Sequence, residues 1–239
     1  MNARSVADQS TRFRATRNRY RRSVVLPSAT PADLAPVPDH NLYAIVLVDV
    51  AGSASTTAQG RARMRRDLYD LMDGALDRRG LDLATFALND TGDGLRLFVP
   101  FHRVRPTDIV DMFVLGFLAG LRQQRQYATE AARIRLRMAI DLGLVGPHLQ
   151  GWIGDPLVRV ARLVDAEPLR DVLRNDPGLD LAVVVSDEMY LSVVRPGDGY
   201  VPSEGFQPVV VRVKEFAARA WLLRPHAYWL CGSCTAAAA

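Results

Sequence analysis

The apolar positions of this chain change period several times, and each change marks an element. NLYAIVLVDVAG, from Asn41 to Gly52, is continuously apolar and rich in Val and Ile, as expected of a buried central strand ending on an acid and a glycine turn. The next segment, RARMRRDLYDLMDGALDRRG, puts Met64, Leu68, Leu71, Met72, Ala75 and Leu76 at helical spacing, so one helix face is apolar. LATFALND and GLRLFVP read as two short strands around a Gly-Asp-Gly turn. A second long helix follows in TDIVDMFVLGFLAGLRQQRQYATEAA, with Thr107 and Asp108 as cap candidates. In RIRLRMAIDLG, Ile134, Leu136, Met138 and Ile140 alternate with arginines and an acid, the pattern of a half-buried strand, and LVGPHLQGWIG continues as a second hairpin.

DPLVRVARLVDAEPLRDVLR, residues 155–174, is helical in pattern, opens with Pro156 and is interrupted by Pro168. LDLAVVVSDEMYLSVVR gives a buried strand and a short helix begun by Ser186 or Asp187, and PVVVRVKEFAARAWLLRP a terminal hairpin. This order predicts an α+β sandwich, a largely antiparallel sheet with helices on one face. With no internal repeat and no second core, the simplest partition is one domain over residues 41–225, after an arm of residues 1–40 and before a tail of residues 226–239.

Composition narrows the class. At 239 residues, 49% hydrophobic and 23% charged, the chain can bury a proper core and reads as a soluble globular protein. Its most apolar stretch, Asp108 to Leu121, is too short and too charged at its start to cross a bilayer, and no apolar signal segment opens the chain. No membrane partner is expected, and a cytoplasmic location is the default. The formal net charge of +4 comes from an arm with seven arginines in the first 22 residues against the single acid Asp8. Such an arm can touch nucleic acid or acidic lipid, but its composition favours a solvated disordered extension, so nucleic acid is not the expected partner.

Basic residues are almost all arginine, 29 against the single lysine Lys214, and a lone lysine in such a chain stands out as a compact point charge suited to a phosphate oxygen. Cys231 and Cys234 form a CGSC near the end of the chain. Two thiols cannot close a zinc site, although His226 adds a third candidate ligand; the spacing also suits a redox pair, and the composition favours an incidental tail pair.

Two acids stand out by position. Asp49 ends the first strand and Asp93 sits in the hairpin turn NDTGDG. In a ferredoxin-like sheet the first strand lies beside this hairpin, so the two carboxylates can meet at one edge, where they repel or share divalent cations such as Mg²⁺ or Mn²⁺. The AGSAS turn after Asp49 would add backbone N–H groups near a phosphate. The plainer alternative is that Asp49 caps a turn and Asp93 is an ordinary hairpin residue.

Six segments, YAIVLVDVAGSAS, NDTGDGLRLFVP, RIRLRMAIDLGLV, GDPLVRVARLVDA, LAVVVSDEMYLSVV and VVVRVKE, occur in the order and spacing of the class III nucleotide cyclase catalytic domain. The resemblance runs from Tyr43 to Leu223, and the chain resembles the small stand-alone actinobacterial cyclases, a type similar to the pyrimidine cyclases of Pycsar antiphage defence. The resemblance implies a ferredoxin-like cyclase sandwich that converts a nucleoside triphosphate to a 3′,5′-cyclic nucleotide and pyrophosphate. It implies Asp49 and Asp93 as ligands of two Mg²⁺ or Mn²⁺ ions, Val50, Ala51, Gly52 and Ser53 around the phosphates, Arg162 as the transition-state arginine and Lys214 as a triphosphate contact. It further implies a homodimer with composite sites, the aspartates from one protomer and the arginine and base-reading residues from the other, and a downstream effector protein that reads the cyclic nucleotide.

The departures from that family's pattern concern the sugar and the base. The ribose-orienting asparagine falls at Val158, which cannot hydrogen-bond a sugar, leaving neighbouring Arg159 or another donor to substitute. The base-reading lysine of adenylate cyclases falls at Asn89, and their aspartate near Gly151 or Trp152. An amide both donates and accepts, so Asn89 suits uracil or cytosine as readily as a purine edge, and an inward Trp152 would narrow the pocket. UTP or CTP is the expectation. The alternatives are a purine cyclase using ATP or GTP, or a degenerate cyclase-like module that senses a nucleotide.

Overall fold

The computed structural model describes residues 40–53, 57–127, 129, 133–149 and 151–225. In chain order these form β1 (Asn41–Val50), α1 (Ala58–Asp77), β2 (Ala87–Asp90), β3 (Gly94–Pro100), α2 (Pro106–Tyr127), β4 (Leu136–His148), β5 (Gly151–Ile153), α3 (Asp155–Val164), α4 (Glu167–Asn175), β6 (Leu181–Ser186), α5 (Asp187–Met189), β7 (Phe206–Val213) and β8 (Phe216–Leu223). The strands build one sheet in the order β2-β3-β1-β4-β6-β8-β7, with the short β5 paired to the end of β4. Every pairing is antiparallel except β4 with β6, the mainly antiparallel α+β arrangement expected.

The helices cover both faces of this sheet, where the sequence pattern had pointed to one. Ala44, Val46 and Val48 of β1 join a core with α1 and α2, while Ile45 and Leu47 join a second core with α3 and α4. The unbroken apolar run of β1 is therefore the signature of a strand buried on both sides. Glycine lets the first helix layer close up: a Cβ on Gly116 of α2 would stand 2.7 Å from Ala75 Cβ and 2.8 Å from Ala75 Cα of α1. Gly116→Val should therefore cost about 1–3 kcal/mol by forcing the helices apart. A thermal unfolding midpoint equal to wild type would show that α1 and α2 can separate freely.

Local chemistry moved several boundaries. LATFALND is only half strand, because Asp82 accepts from Ala84 N–H at 2.9 Å and opens a 3₁₀ turn at Leu83–Thr85 before β2. The break between α3 and α4 falls at Asp165 and Ala166, since Pro168 has no N–H to continue the first helix and is tolerated only in the first turn of a new one. Ser186 is the cap of α5, its hydroxyl accepting from Met189 N–H at 3.1 Å. Most of the Arg-rich arm lies outside the described residues, as do Cys231, Cys234 and His226.

Candidate active site

The register of the central strands delivers Asp49 to a corner. It pairs with Gly94 of β3 on one side and Arg137 of β4 on the other, one residue before β1 ends. The hairpin turn is stitched to that corner, since Val50 N–H donates to the Asp93 carbonyl at 3.1 Å. Gly94 makes the approach possible: a Cβ there would lie 2.4 Å from the Val48 carbonyl oxygen. Ser53 Oγ then donates to Asp93 Oδ2 at 3.0 Å, so the turn after β1 and the hairpin turn hold each other.

Asp49 is 8% exposed, and burial pushes its pKa up to about 6; the Arg137 guanidinium pulls against this, while the charges of Asp93 and Asp165 add to it. Arg137 is bound directly to Asp49 and lies 3.7 Å from Asp165 at the end of α3. Arg137 was not singled out from the sequence. Its alternation in β4 was visible, but its partnership with Asp49 depends on the β1–β4 register, which no local pattern reveals.

The hairpin's other acid has a different task. Asp90 accepts from Gly92 N–H at 2.9 Å and from Tyr69 Oη at 3.2 Å, and is ion-paired with Arg65 of α1. Asp90 thus shapes the turn, leaving Asp93 to line a pocket of about 570 Å³ with Val50, Ser53, Arg61 and Arg65. The backbone N–H groups of Val50 and Ala51 are already engaged, the latter with the Arg135 carbonyl at 2.9 Å, which removes both as phosphate donors. Gly52 takes a φ of 77°, turning the chain away from the strand.

The remaining candidate residues are dispersed. Arg162, half-buried on α3, forms no hydrogen bond or ion pair with any described residue. Val158, one turn earlier, is 58% exposed. Arg159 is committed elsewhere: its Nε donates to fully buried Asp141 at 2.7 Å and its Nη2 to the Leu142 carbonyl at 3.0 Å, so it cannot serve as a free sugar donor. Trp152 stacks on Phe98 with centroids 4.3 Å apart and meets Tyr43 edge-on at 5.2 Å, packing against the core. Asn89 is half-buried in β2, opposite Arg96. Lys214 is exposed at the β7–β8 turn with a φ of 53°. Followed through the strand registers, that turn lies roughly 30 Å from Asp49 along the strand direction at about 3.3 Å per residue.

Among the described residues no group of three or more His, Cys, Asp or Glu side chains converges as a metal cage. A divalent ion at this corner would rest on the Asp49 and Asp93 oxygens, with its other positions filled by water or phosphate, which is the donor set Mg²⁺ and Mn²⁺ prefer. Among the described residues no helix is long and apolar enough to cross a membrane.

Solved structures similar to this one include nucleotide cyclase domains. An adenylate/guanylate cyclase/hydrolase from Silicibacter pomeroyi superposes with a TM-score of 0.57 at 21% identity, covering 78% of this chain and 98% of that one. The adenylyl cyclase CyaB from P. aeruginosa gives 0.52 at 16% identity, over 80% and 97% of the two chains. The catalytic core of a rhodopsin-guanylyl cyclase with converted specificity, in complex with ATPαS, gives 0.52 at 16% identity, over 77% and 95%. No protein-family model matches the sequence, and no curated protein does. The chain has the fold of adenylyl and guanylyl cyclase catalytic domains.

Proposed function

We propose that this protein is a metal-dependent class III nucleotide cyclase that converts a pyrimidine nucleoside triphosphate, UTP or CTP, to its 3′,5′-cyclic nucleotide and pyrophosphate. The observation that carries it is the corner at which Asp49 and Asp93, far apart in sequence, are stitched together on a cyclase fold. Two Mg²⁺ or Mn²⁺ ions held by these carboxylates would lower the pKa of the attacking ribose 3′-hydroxyl and carry the polyphosphate. Arg137 stands beside them to balance charge on the phosphates. Arg162, free of partners among the described residues, would stabilise charge developing at the α-phosphoryl group, and Lys214 would hold the triphosphate tail.

Lys214 cannot reach its own Asp49 corner, which supports a homodimer whose sites each draw on both protomers. Exposed Leu144, Ile153 and Val158 are apolar surface in need of cover near α3 and the β4–β5 end, consistent with that assembly. The pyrimidine assignment rests on Asn89, whose amide can match the mixed donor and acceptor edge of uracil or cytosine. The product would act in the cytoplasm as a second messenger for an effector protein, in antiphage defence.

The second reading, a degenerate nucleotide sensor, is favoured by Val158, which offers the ribose no hydrogen bond. The deciding measurement incubates the full chain with each of the four labelled nucleoside triphosphates and Mn²⁺. A cyclic UMP or cyclic CMP product that disappears with chelator is expected. Retained nucleotide binding with no product from any of the four would establish the sensor, and cyclic AMP or cyclic GMP as the main product would move the assignment to a purine.

A further inference from the structure

One arginine on the α3 face of the sheet has no task in the fold. Arg96 of β3 stands opposite Leu47 of β1 and Asn89 of β2, so it shares a sheet face with both, and with Asp49 two residues further along β1. Its Nε is buried without a hydrogen-bond partner, and its guanidinium pairs with no carboxylate among the described residues. Burial alone acts on it, pulling its pKa below the ordinary arginine range. Among the described residues the only other buried Nε without a partner, that of Arg137, belongs to a guanidinium already paired with Asp49. Holding an unpartnered cation in a half-buried place destabilises a fold, and such places in natural proteins are where a ligand completes the shell.

The helices of this face make their main contacts to one side of Arg96. On this face α3 packs over β1, β4 and β6, and α4 over β6 and β7, to one side of β2 and β3. Trp152 covers Phe98, two residues beyond Arg96. The row of Asn89 and Arg96 therefore lies between the indole and the Asp49 corner, an amide beside a guanidinium.

We propose that Arg96 reads the nucleobase together with Asn89, donating to a ring carbonyl and so selecting oxo-bases, uracil first, over adenine. This rests on the cyclase reading and adds the residue that decides the base. A guanidinium offers only donors, whereas an amide offers both kinds. Uracil presents acceptor, donor, acceptor along its pairing edge: Arg96 donates to one carbonyl, Asn89 accepts from N3–H and donates to the other. Cytosine, whose O2 and N3 both accept, satisfies the arginine fork and ranks second. Adenine turns an amino group toward the same donors and leaves them unsatisfied.

The test uses the full-length chain and the variants Arg96→Met and Arg96→Lys, with two readouts for each of the four bases: turnover with Mn²⁺, and affinity for the 3′-deoxynucleoside triphosphate, which lacks the attacking hydroxyl. Arg96→Met should lower kcat/KM for UTP about ten- to hundredfold, mostly through KM, while ATP changes less than about threefold. Arg96→Lys should recover part of the preference. The melting temperature of Arg96→Met should stay level or rise, since an unpaired buried charge has gone. Equal losses for all four bases, an unchanged uracil-to-adenine ratio, or a marked drop in melting temperature would overturn the assignment. Absence of product from wild type sinks the cyclase reading alone, because the ratio of 3′-deoxynucleotide affinities still decides the role of Arg96.

Discussion

Mixed in equal amounts, Asp49→Ala and Arg162→Ala subunits should recover about a quarter of wild-type turnover, although each variant alone falls about 10²- to 10³-fold. The fraction follows from two-fold symmetry. Half of randomly assorted dimers are mixed, and a mixed dimer has one site with both residues intact and one with neither. The variants should fold. Arg162 has no partner among the described residues to lose. In Asp49→Ala the Arg137 guanidinium keeps Asp165 at 3.7 Å, and the group removed is a carboxyl whose pKa burial raises from 3.8 to about 6 and whose ionised form works against the native state. A raised carboxyl pKa means that the folded form holds the proton more tightly, so this group disfavours folding above pH 6 and ceases to do so as the pH falls toward 4. Light scattering should confirm dimers in the mixture. Confirmed dimers with no recovered turnover would place both residues in the same site and overturn the composite assembly.

Arg159→Met should be the most damaging single change to stability, costing about 3–5 kcal/mol. It leaves Asp141, 0% exposed in the middle of β4, without its cationic partner. What then remains on the carboxylate is the Leu142 N–H at 2.8 Å and a hydrogen bond from Ser186. Burial already holds the Asp141 pKa above the ordinary range, and without Arg159 the group would take up a proton. The companion Asp141→Asn, Arg159→Met removes both charges and should recover more than half of the loss. Denaturant unfolding separates the outcomes: a loss under about 1 kcal/mol for Arg159→Met would mean that the pair is dispensable, and Arg159 would regain its candidacy as a sugar donor.

The two arginines of α3 show what the sequence could and could not reveal. Both Arg159 and Arg162 are visible as helical cations near Val158, but only the register of β4 shows that one of them faces a buried acid and the other faces none. The same limit applies to Asp49. Its place at the end of an apolar run was legible, as were the hairpin and the order of strands and helices, because periodicity and turn residues are local signals. Arg137, Asp141 and Arg96 were not, since each takes its meaning from a neighbour on another element, 88 positions away for Arg137 and 18 for Asp141, or from having none. Even the second helical layer was implicit in β1, whose lack of alternation meant two buried faces.

The position of Lys214 has a consequence for how output scales. On the composite reading, a protomer that cannot bring its lone lysine to its own carboxylates would contribute half-sites, which become whole only in pairs. Below the dimer's dissociation constant, on the composite reading, product formation rises with the square of protein concentration. Expression level would then act as a threshold: sparse copies stay silent, and a modest rise in abundance yields a disproportionate burst of signal.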